Sequence, residues 1–482
     1  MSDINHTIHL KKEILIRLVK AFFSDNFKEN TRLIPFQMRP KGAEVPFRCC
    51  IYKERAIIKD RVIAGLGFAI EDDDETISLS EYAQRALDRE QPEENPLTVL
   101  GAACKGCVPK RIYVTDLCQG CVARPCKSAC KFGAIEVVNG KSVIDSSKCK
   151  ACKKCISACP YNAIVKVAVP CEDNCPVNAI EKNADGTAKI DFSKCIFCGK
   201  CIIKCPFGAV HEKSQLLEVL KMLKNKEEIS IMFAPAIVGQ FPGTIGQFKS
   251  AIKKIGFSHV YEVAQGADIT IKNEAEEFQE RYLDGYGFMT TSCCAGYNEL
   301  VKKHIPEIKP FVSETKTPLY YTAEIAKSEH PNSKTVFVSP CVAKKQEMKE
   351  NPNIDYVINA KELGAIFVAL HIEILNCEHN DTDNEASKQA RNFPVTGGVA
   401  DAVNYCSDCV IDTVVINGIN KDSIKQLRNY AKEGICDDGN LIEVMCCEGG
   451  CIRGNSTITD AKIAKKIITD LIDKSDNIER KG

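Results

Sequence analysis

Glu443-Val-Met-Cys-Cys-Glu-Gly-Gly-Cys451 sets two cysteines, Cys447 and Cys451, four residues apart across a Gly-Gly loop. Thiolates at that spacing, on backbone free to bend close, suit iron–sulfur ligation. Two further cysteine sites lie upstream, Thr291-Ser-Cys-Cys294 and Ser339-Pro-Cys-Val-Ala-Lys-Lys-Gln-Glu347. A Cys-x3-Cys alone is more often two unrelated thiols than a cluster site. The weight rests on three sites in order along one stretch of chain.

Ahead of them, residues 104–210 are dense in cysteine. Cys149-x2-Cys152-x2-Cys155-x3-Cys159-Pro160 and Cys195-x2-Cys198-x2-Cys201-x3-Cys205-Pro206 are bacterial ferredoxin runs. In such a run three thiolates hold one [4Fe–4S] cube and the fourth crosses to the neighbouring cube. Cys118-x2-Cys121-x4-Cys126-x3-Cys130 is the same run with two extra residues before its third ligand. Pairing it with the next run gives one cube from Cys118, Cys121, Cys126 and Cys159, and another from Cys130, Cys149, Cys152 and Cys155. Cys171-x3-Cys175-Pro176 is half a run. Cys175 completes the cube of Cys195, Cys198 and Cys201. Cys171 and Cys205 then need partners, and Cys104-x2-Cys107 is the free pair nearby. That makes four accessory cubes; the alternative is three, with Cys104 and Cys107 as bystanders. Structural zinc is the poorer reading, because zinc sites rarely run in tandem ferredoxin spacing.

Composition sets the outer bounds. The 482 residues allow two to four domains, and acidic and basic residues balance at 64 each, which favours no nucleic-acid role. No run approaches the ~18 apolar residues of a membrane span, and no secretory or twin-arginine signal is visible, so a cytoplasmic protein is expected. In that compartment 28 cysteines argue for metal and not for disulfides.

In this order the C-terminal sites resemble the three signatures of the [FeFe]-hydrogenases, Thr-Ser-Cys-Cys-Pro, Pro-Cys-x-x-Lys-x-x-Glu and Glu-x-Met-x-Cys-x-x-x-Cys. The resemblance spans roughly residues 226–460, and the ferredoxin-like region fits ahead of it. It implies an α/β catalytic domain of two lobes at 226–482. Before that come α+β bacterial-ferredoxin-like domains at 101–215 and a small, mostly helical N-terminal region at 1–100 of unknown role.

The resemblance also implies a cofactor, the H-cluster: a [4Fe–4S] cube joined to a di-iron part with CO, cyanide and dithiolate ligands, supplied by maturation proteins. Cys294, Cys341, Cys447 and Cys451 would hold the cube, Cys451 also bridging to the di-iron part. Cys293 would hand protons to the dithiolate. Glu274, Ser313, Glu277 and then Cys293 would form the proton relay, with Arg281 tuning Glu277. Lys344 would donate to a cyanide, oriented by Glu347. Pro235, Ala236, Ser339, Phe393 and Met445 would surround the di-iron part, with the Thr396-Gly-Gly398 turn behind Phe393. The reaction implied is reversible proton reduction to H2, in a monomer fed by reduced ferredoxin. Ala295, Ser339, Leu319, Ala236 and Gly454-Asn455 depart from the common pattern and are similar to the branch often called group B. A slow H2 or redox sensor, or an iron–sulfur scaffold without the di-iron part, are the rival readings.

The coarse element pattern is α/β. Ile8–Phe23, Ser80–Leu87 and Leu216–Lys226 read as helices, and Glu228–Phe233, Thr335–Ser339 and Thr413–Asn417 as strands. Arg61–Ile70 reads as a strand or short helix. Cys49 and Cys50 read as free thiols, as do Cys377, Cys406, Cys409, Cys436 and Cys446, although Cys406-x2-Cys409 is a candidate metal pair.

Overall fold

A computed structural model of the chain describes residues 6–43, 48–104, 107, 111–379 and 386–479. The C-terminal half is built on two parallel sheets. Strands β9 (Ile229–Phe233), β10 (His259–Glu262), β12 (Lys334–Ser339) and β13 (Tyr356–Asn359) lie in the order β10-β9-β12-β13. Strands β11 (Met289–Thr290), β14 (Thr413–Asn417) and β15 (Leu441–Met445) form the second sheet, in the order β11-β15-β14. Both faces of the central strands are covered, so Ile-Ser-Ile-Met-Phe of β9 and Leu-Ile-Glu-Val-Met of β15 are buried at every position.

The cysteine-rich region is two ferredoxin modules, one inserted into the other. The inner module pairs β2 (Ile112–Val114) with β5 (Ile164–Lys166) and β3 (Ile135–Val138) with β4 (Lys141–Ile144). The outer module pairs β1 (Leu97–Val99) with β8 (Val210–Glu212) and β6 (Ile180–Lys182) with β7 (Ala188–Ile190). Four short helices, Pro125–Ser128, Lys154–Ala158, Pro170–Asp173 and Lys200–Lys204, each carry one cysteine: Cys126, Cys155, Cys171 and Cys201. These are the third cysteines of four runs. The run of Cys171 and Cys175 is therefore not truncated. Its first two members are Cys104 and Cys107, and the inner module interrupts it. The backbone repeats as well: three residues after Cys130, Cys159, Cys175 and Cys205 it turns left-handed, at Gly133, Asn162, Asn178 and Gly208 (φ 61, 50, 52 and 56°). Glycine and asparagine are the residues that tolerate this turn. The outer module begins at Leu97, slightly ahead of residue 101.

The inner module has a small core of its own, Ile112, Ile135, Ile144 and Ile164 around Cys126 and Cys155. Its surface is basic: residues 118–168 hold nine Lys and Arg against two Asp and Glu. Lys127, Lys131, Lys141, Lys148, Lys150, Lys153 and Lys154 are exposed.

The N-terminal region is helical, with α1 (His6–Phe22), α2 (Phe27–Met38), α3 (Ile51–Gly65) and α4 (Leu79–Asp88). Its core includes Leu18, Ile34, Ile63 and Tyr82 and continues into Leu216, Leu220 and Ile366 of the helices Leu216–Lys224 and Ala360–Ala369. Residues 61–65 close α3 rather than forming a separate element, and residues 66–70 leave it through a turn. Cys50 sits at the N-terminus of α3, with its thiol 3.9 Å from that of Cys49.

Candidate active site

Four loops converge where the parallel strands end. Ala234-Pro-Ala236 follows β9, Pro340-Cys341 follows β12, Thr291-Ser-Cys-Cys294 follows β11 and Cys446-Cys447 follows β15. Crevices at the carboxyl ends of parallel strands are where open α/β sheets present ligands. The Gly-Gly loop closes the site: Gly449 and Gly450 both have left-handed backbone (φ 87 and 82°). A Cβ on Gly450 would lie 2.4 Å from the Pro394 carbonyl oxygen.

Two cavities adjoin here. One is lined by Cys198, Cys294, Cys341, Cys447 and Cys451, with Cys446 and Asn455 beside them. The other is apolar, lined by Pro235, Ala236, Leu319, Phe393, Met445, Cys293, Cys294, Lys344 and Cys451. Cys451 and Cys294 face both; Cys293 faces only the apolar one. The donor set fits an iron–sulfur cube beside an apolar chamber, since four cysteines and no carboxylate meet in the first cavity.

Lys344 projects into the apolar chamber. Its Nζ donates to Glu347 Oε2 at 2.5 Å and lies 3.4 Å from the Cys293 carbonyl oxygen, while Thr317 Oγ1 donates to Glu347 Oε1 at 2.6 Å. Burial pulls this ammonium down, but Glu347 and the thiols of Cys341 and Cys293 outweigh burial and raise its pKa. Glu347 thus lies behind Lys344, outside the chamber wall. Ser339 also lies outside it. Its hydroxyl donates to the Cys341 carbonyl at 2.8 Å and accepts from the Cys341 N–H at 3.1 Å, fixing the ligand loop instead of touching the chamber.

The acidic residues run inward from the surface in an order the sequence reading had reversed. Glu274 is fully buried and acts directly on Cys293, whereas the Glu277 side chain is 15% exposed and paired with Arg281 at 2.7 Å. Outward from Cys293 the sequence of groups is Glu274, Ser313, Glu277 and Arg281. Ser313 Oγ and Thr315 Oγ1 each donate to Glu277 Oε2 at 2.7 Å, and Glu314 N–H donates to Oε1 at 2.8 Å. Burial pushes the Glu277 carboxyl up, but these donors and Arg281 outweigh it and hold the pKa below the usual range. Glu274 has neither oxygen bonded among the described residues; Ser313 and the Ser292 N–H act on it from beyond bonding distance. Burial, then the charge of Glu277, pushes its pKa up to about 8. Burial, then Glu274, also pushes the Cys293 thiol well up.

Three contributors went unread in the sequence. Pro318 and Phe337 line the chamber without a motif to mark them. Glu443, fully buried, accepts from the N–H groups of Gly397, Val399 and Ala400 at 2.8, 3.0 and 2.9 Å and so holds the start of the helix Gly398–Cys406. Asn455 accepts from Val342 N–H at 3.0 Å and donates to Cys198 O at 3.2 Å, tying the Cys341 loop to the Cys198 loop.

In the ferredoxin modules, Cys118, Cys121, Cys126 and Cys159 line one cavity, and Cys130, Cys149, Cys152 and Cys155 another. Cys175, Cys195, Cys198 and Cys201 interact with one another, and so do Cys104, Cys107, Cys171 and Cys205. Ala179 N–H donates to Cys175 Sγ at 3.2 Å and Ala209 N–H to Cys205 Sγ at 3.4 Å, the same contact one repeat apart. Cys406 and Cys409 pack against the core around Phe278 and Met289.

Comparison with known proteins gives this architecture its family. Residues 227–455 match the iron only hydrogenase large subunit, C-terminal domain, and residues 142–165 and 188–211 match the 4Fe-4S binding domain. The chain is 29% identical over 305 residues to the NADP-reducing hydrogenase subunit HndD of Solidesulfovibrio fructosivorans, covering 50% of this chain and 52% of that one. It is 27% identical over 374 residues to iron hydrogenase 1 of Clostridium pasteurianum, covering 64% of each. The chain thus spans about half to two thirds of the length of these curated relatives. The solved structure of [FeFe]-hydrogenase HydA1 from Chlamydomonas reinhardtii aligns at 19% identity and a TM-score of 0.43, over 54% of this chain and 90% of that one. An H-cluster and accessory [4Fe–4S] clusters accompany these domains. By sequence, the chain is a member of the [FeFe]-hydrogenase family, its iron-only hydrogenase domain at 227–455 following a ferredoxin-like region.

Proposed function

We propose that the chain catalyses the reversible reduction of protons to H2. The observation that carries this reading is Cys293. Its thiol opens on the same apolar chamber as Lys344, Met445, Phe393 and Cys451, with the buried Glu274 behind it. A simple cube scaffold needs neither a thiol nor a lysine at such a chamber.

Cys294, Cys341, Cys447 and Cys451 hold the cube of the H-cluster, and Cys451 reaches toward the di-iron part. When bound, that group supplies the redox chemistry at hydrogen. The chain's own residues orient it, keep water out and move protons. Lys344 donates to an anionic diatomic ligand, and Glu347 fixes its direction. Pro235, Ala236, Phe393 and Met445 exclude water from the chamber. Protons pass inward from Glu277 through Ser313 and Glu274 to the Cys293 sulfur, each group able to accept and donate in turn. Electrons enter through the ferredoxin modules. The exposed lysines of the inner module suit an acidic one-electron carrier such as a ferredoxin, steered by opposite charge. Maturation proteins supply the di-iron part.

The test is H2 evolution from chemically reduced methyl viologen by protein matured anaerobically with its cofactor. Sustained turnover is expected. A negligible rate in protein shown by infrared spectroscopy to carry CO and cyanide would overturn the enzyme in favour of a sensor. Absence of those bands after maturation would favour the scaffold reading.

A further inference from the structure

Buried cations from the N-terminal helices and from β6 gather around Cys104, Cys107, Cys171 and Cys205. Arg61 of α3 is 2% exposed, and its Nη2 donates at 3.2 Å to the carbonyl of Phe207, two residues past Cys205. Its Nε and Nη1 have no acceptor among the described residues. Lys182 of β6 pairs in register with Ala188, whose N–H donates to Cys104 Sγ at 3.2 Å. The Lys182 Nζ is buried and likewise without an acceptor among the described residues, and its charge acts on Cys107 and Cys171. Lys11 of α1 donates to Val210 O at 3.3 Å, on the strand that follows Cys205.

Nearby carboxylates are largely engaged elsewhere. Glu54 is paired with Arg39 at 3.2 Å, and Glu212 accepts from Ser456 at 2.5 Å and Asn359 at 3.1 Å. Asp60 also acts on Arg61, but its own carboxyl is pushed up to about 6 by burial and then by Asp73. Buried cationic donors left unanswered are costly unless an anion faces them. A [4Fe–4S] cube on four thiolates is such an anion, and each electron it accepts adds one more negative charge.

Resting on the reading that these four cysteines hold a fourth cube, we propose that Arg61 and Lys182 are positioning residues for its charge. They stabilise its reduced form and raise its potential. The N-terminal helices thereby serve as the electrostatic cover of one step in the electron path.

The test is an EPR-monitored redox titration of the matured holoprotein, with iron counted in parallel. Arg61→Met and Lys182→Met should each move one accessory cube to lower potential at unchanged iron content. The expected size is about tenfold in its oxidised-to-reduced ratio at fixed solution potential, ~59 mV for a one-electron couple. Arg61→Lys keeps the charge and should keep the potential, which a purely structural role would not produce. If Arg61→Met loses iron, Lys182→Met decides. Unchanged potentials in a protein that retains the fourth cube overturn the proposal. Cys107→Ser tests the underlying reading separately: loss of one cube's iron and EPR signal supports the fourth cube, and unchanged iron and signals overturn it.

Discussion

Cys293 and Cys294 are adjacent in sequence, yet only Cys294 reaches the cavity shared with Cys341 and Cys447. Cys293→Ala should therefore leave iron content intact while lowering H2 evolution by at least ~10²-fold, the scale of a lost proton-transfer group. A variant with wild-type turnover would remove Cys293 from the proton route. Glu274 makes a second prediction. Its carboxyl pKa is about 8 in the fold against an ordinary 4.5, so its contribution to stability is fully present below 4.5 and is lost as pH rises through 8. Glu274→Gln should flatten the fall in melting temperature across that window and slow turnover by ~10²–10⁴-fold. A melting profile that keeps the wild-type slope would remove the buried acid as its cause. The ligand cysteines, Cys293 and Lys344 were legible because each stands at a fixed offset within a motif. The direction of the acidic chain was not: spacing at i and i+3 puts Glu274 and Glu277 on one helix face, but the depth of each depends on the packing of the helix Val263–Leu283.

The strands that end at the site were legible as short apolar runs of β type, and β9, β12 and β14 lie within a residue of where those runs fall. What the runs do not reveal is which loop holds which. Glu443 interrupts the apolar run of β15, and its position inside a fully buried strand makes sense only beside the three N–H groups it caps. Burial pushes its carboxyl up despite those donors. Glu443→Ala would strand three helix-terminal donors away from water, costing about 2–4 kcal/mol. Thermal unfolding followed by circular dichroism should show the midpoint falling by several degrees. An unchanged midpoint would mean that water enters to replace the carboxylate. Helix α2 escaped the sequence reading because Pro35 interrupts its pattern; Met38 and Ile34 nonetheless bury against the N-terminal core.

At the scale of the whole molecule, the nesting of one ferredoxin module inside another was out of reach of local spacing, since Cys107 and Cys171 belong to one run but are separated by the entire inner module. That separation gives the inner module a clean boundary. Ile112 pairs with Lys166, and Val167 N–H donates to Arg111 O at 2.8 Å, so its two ends leave side by side. Its core residues come from 112–164 alone. Excising residues 111–167 and joining the flanks should therefore restore an uninterrupted run, Cys104-x2-Cys107 to Cys171-x3-Cys175, and remove only the iron of two cubes. A small dye can reduce the remaining cubes directly, so dye-driven H2 evolution should stay within about threefold of the full chain. Reduction by an acidic ferredoxin depends on the exposed lysines that leave with the module. That rate should fall by about tenfold or more at low salt, and the salt dependence seen with the full chain should disappear with it. Loss of the dye-driven rate in a folded, iron-loaded variant would mean that the inner module supports the catalytic half directly. Survival of the ferredoxin-driven rate would move the docking face onto the outer module.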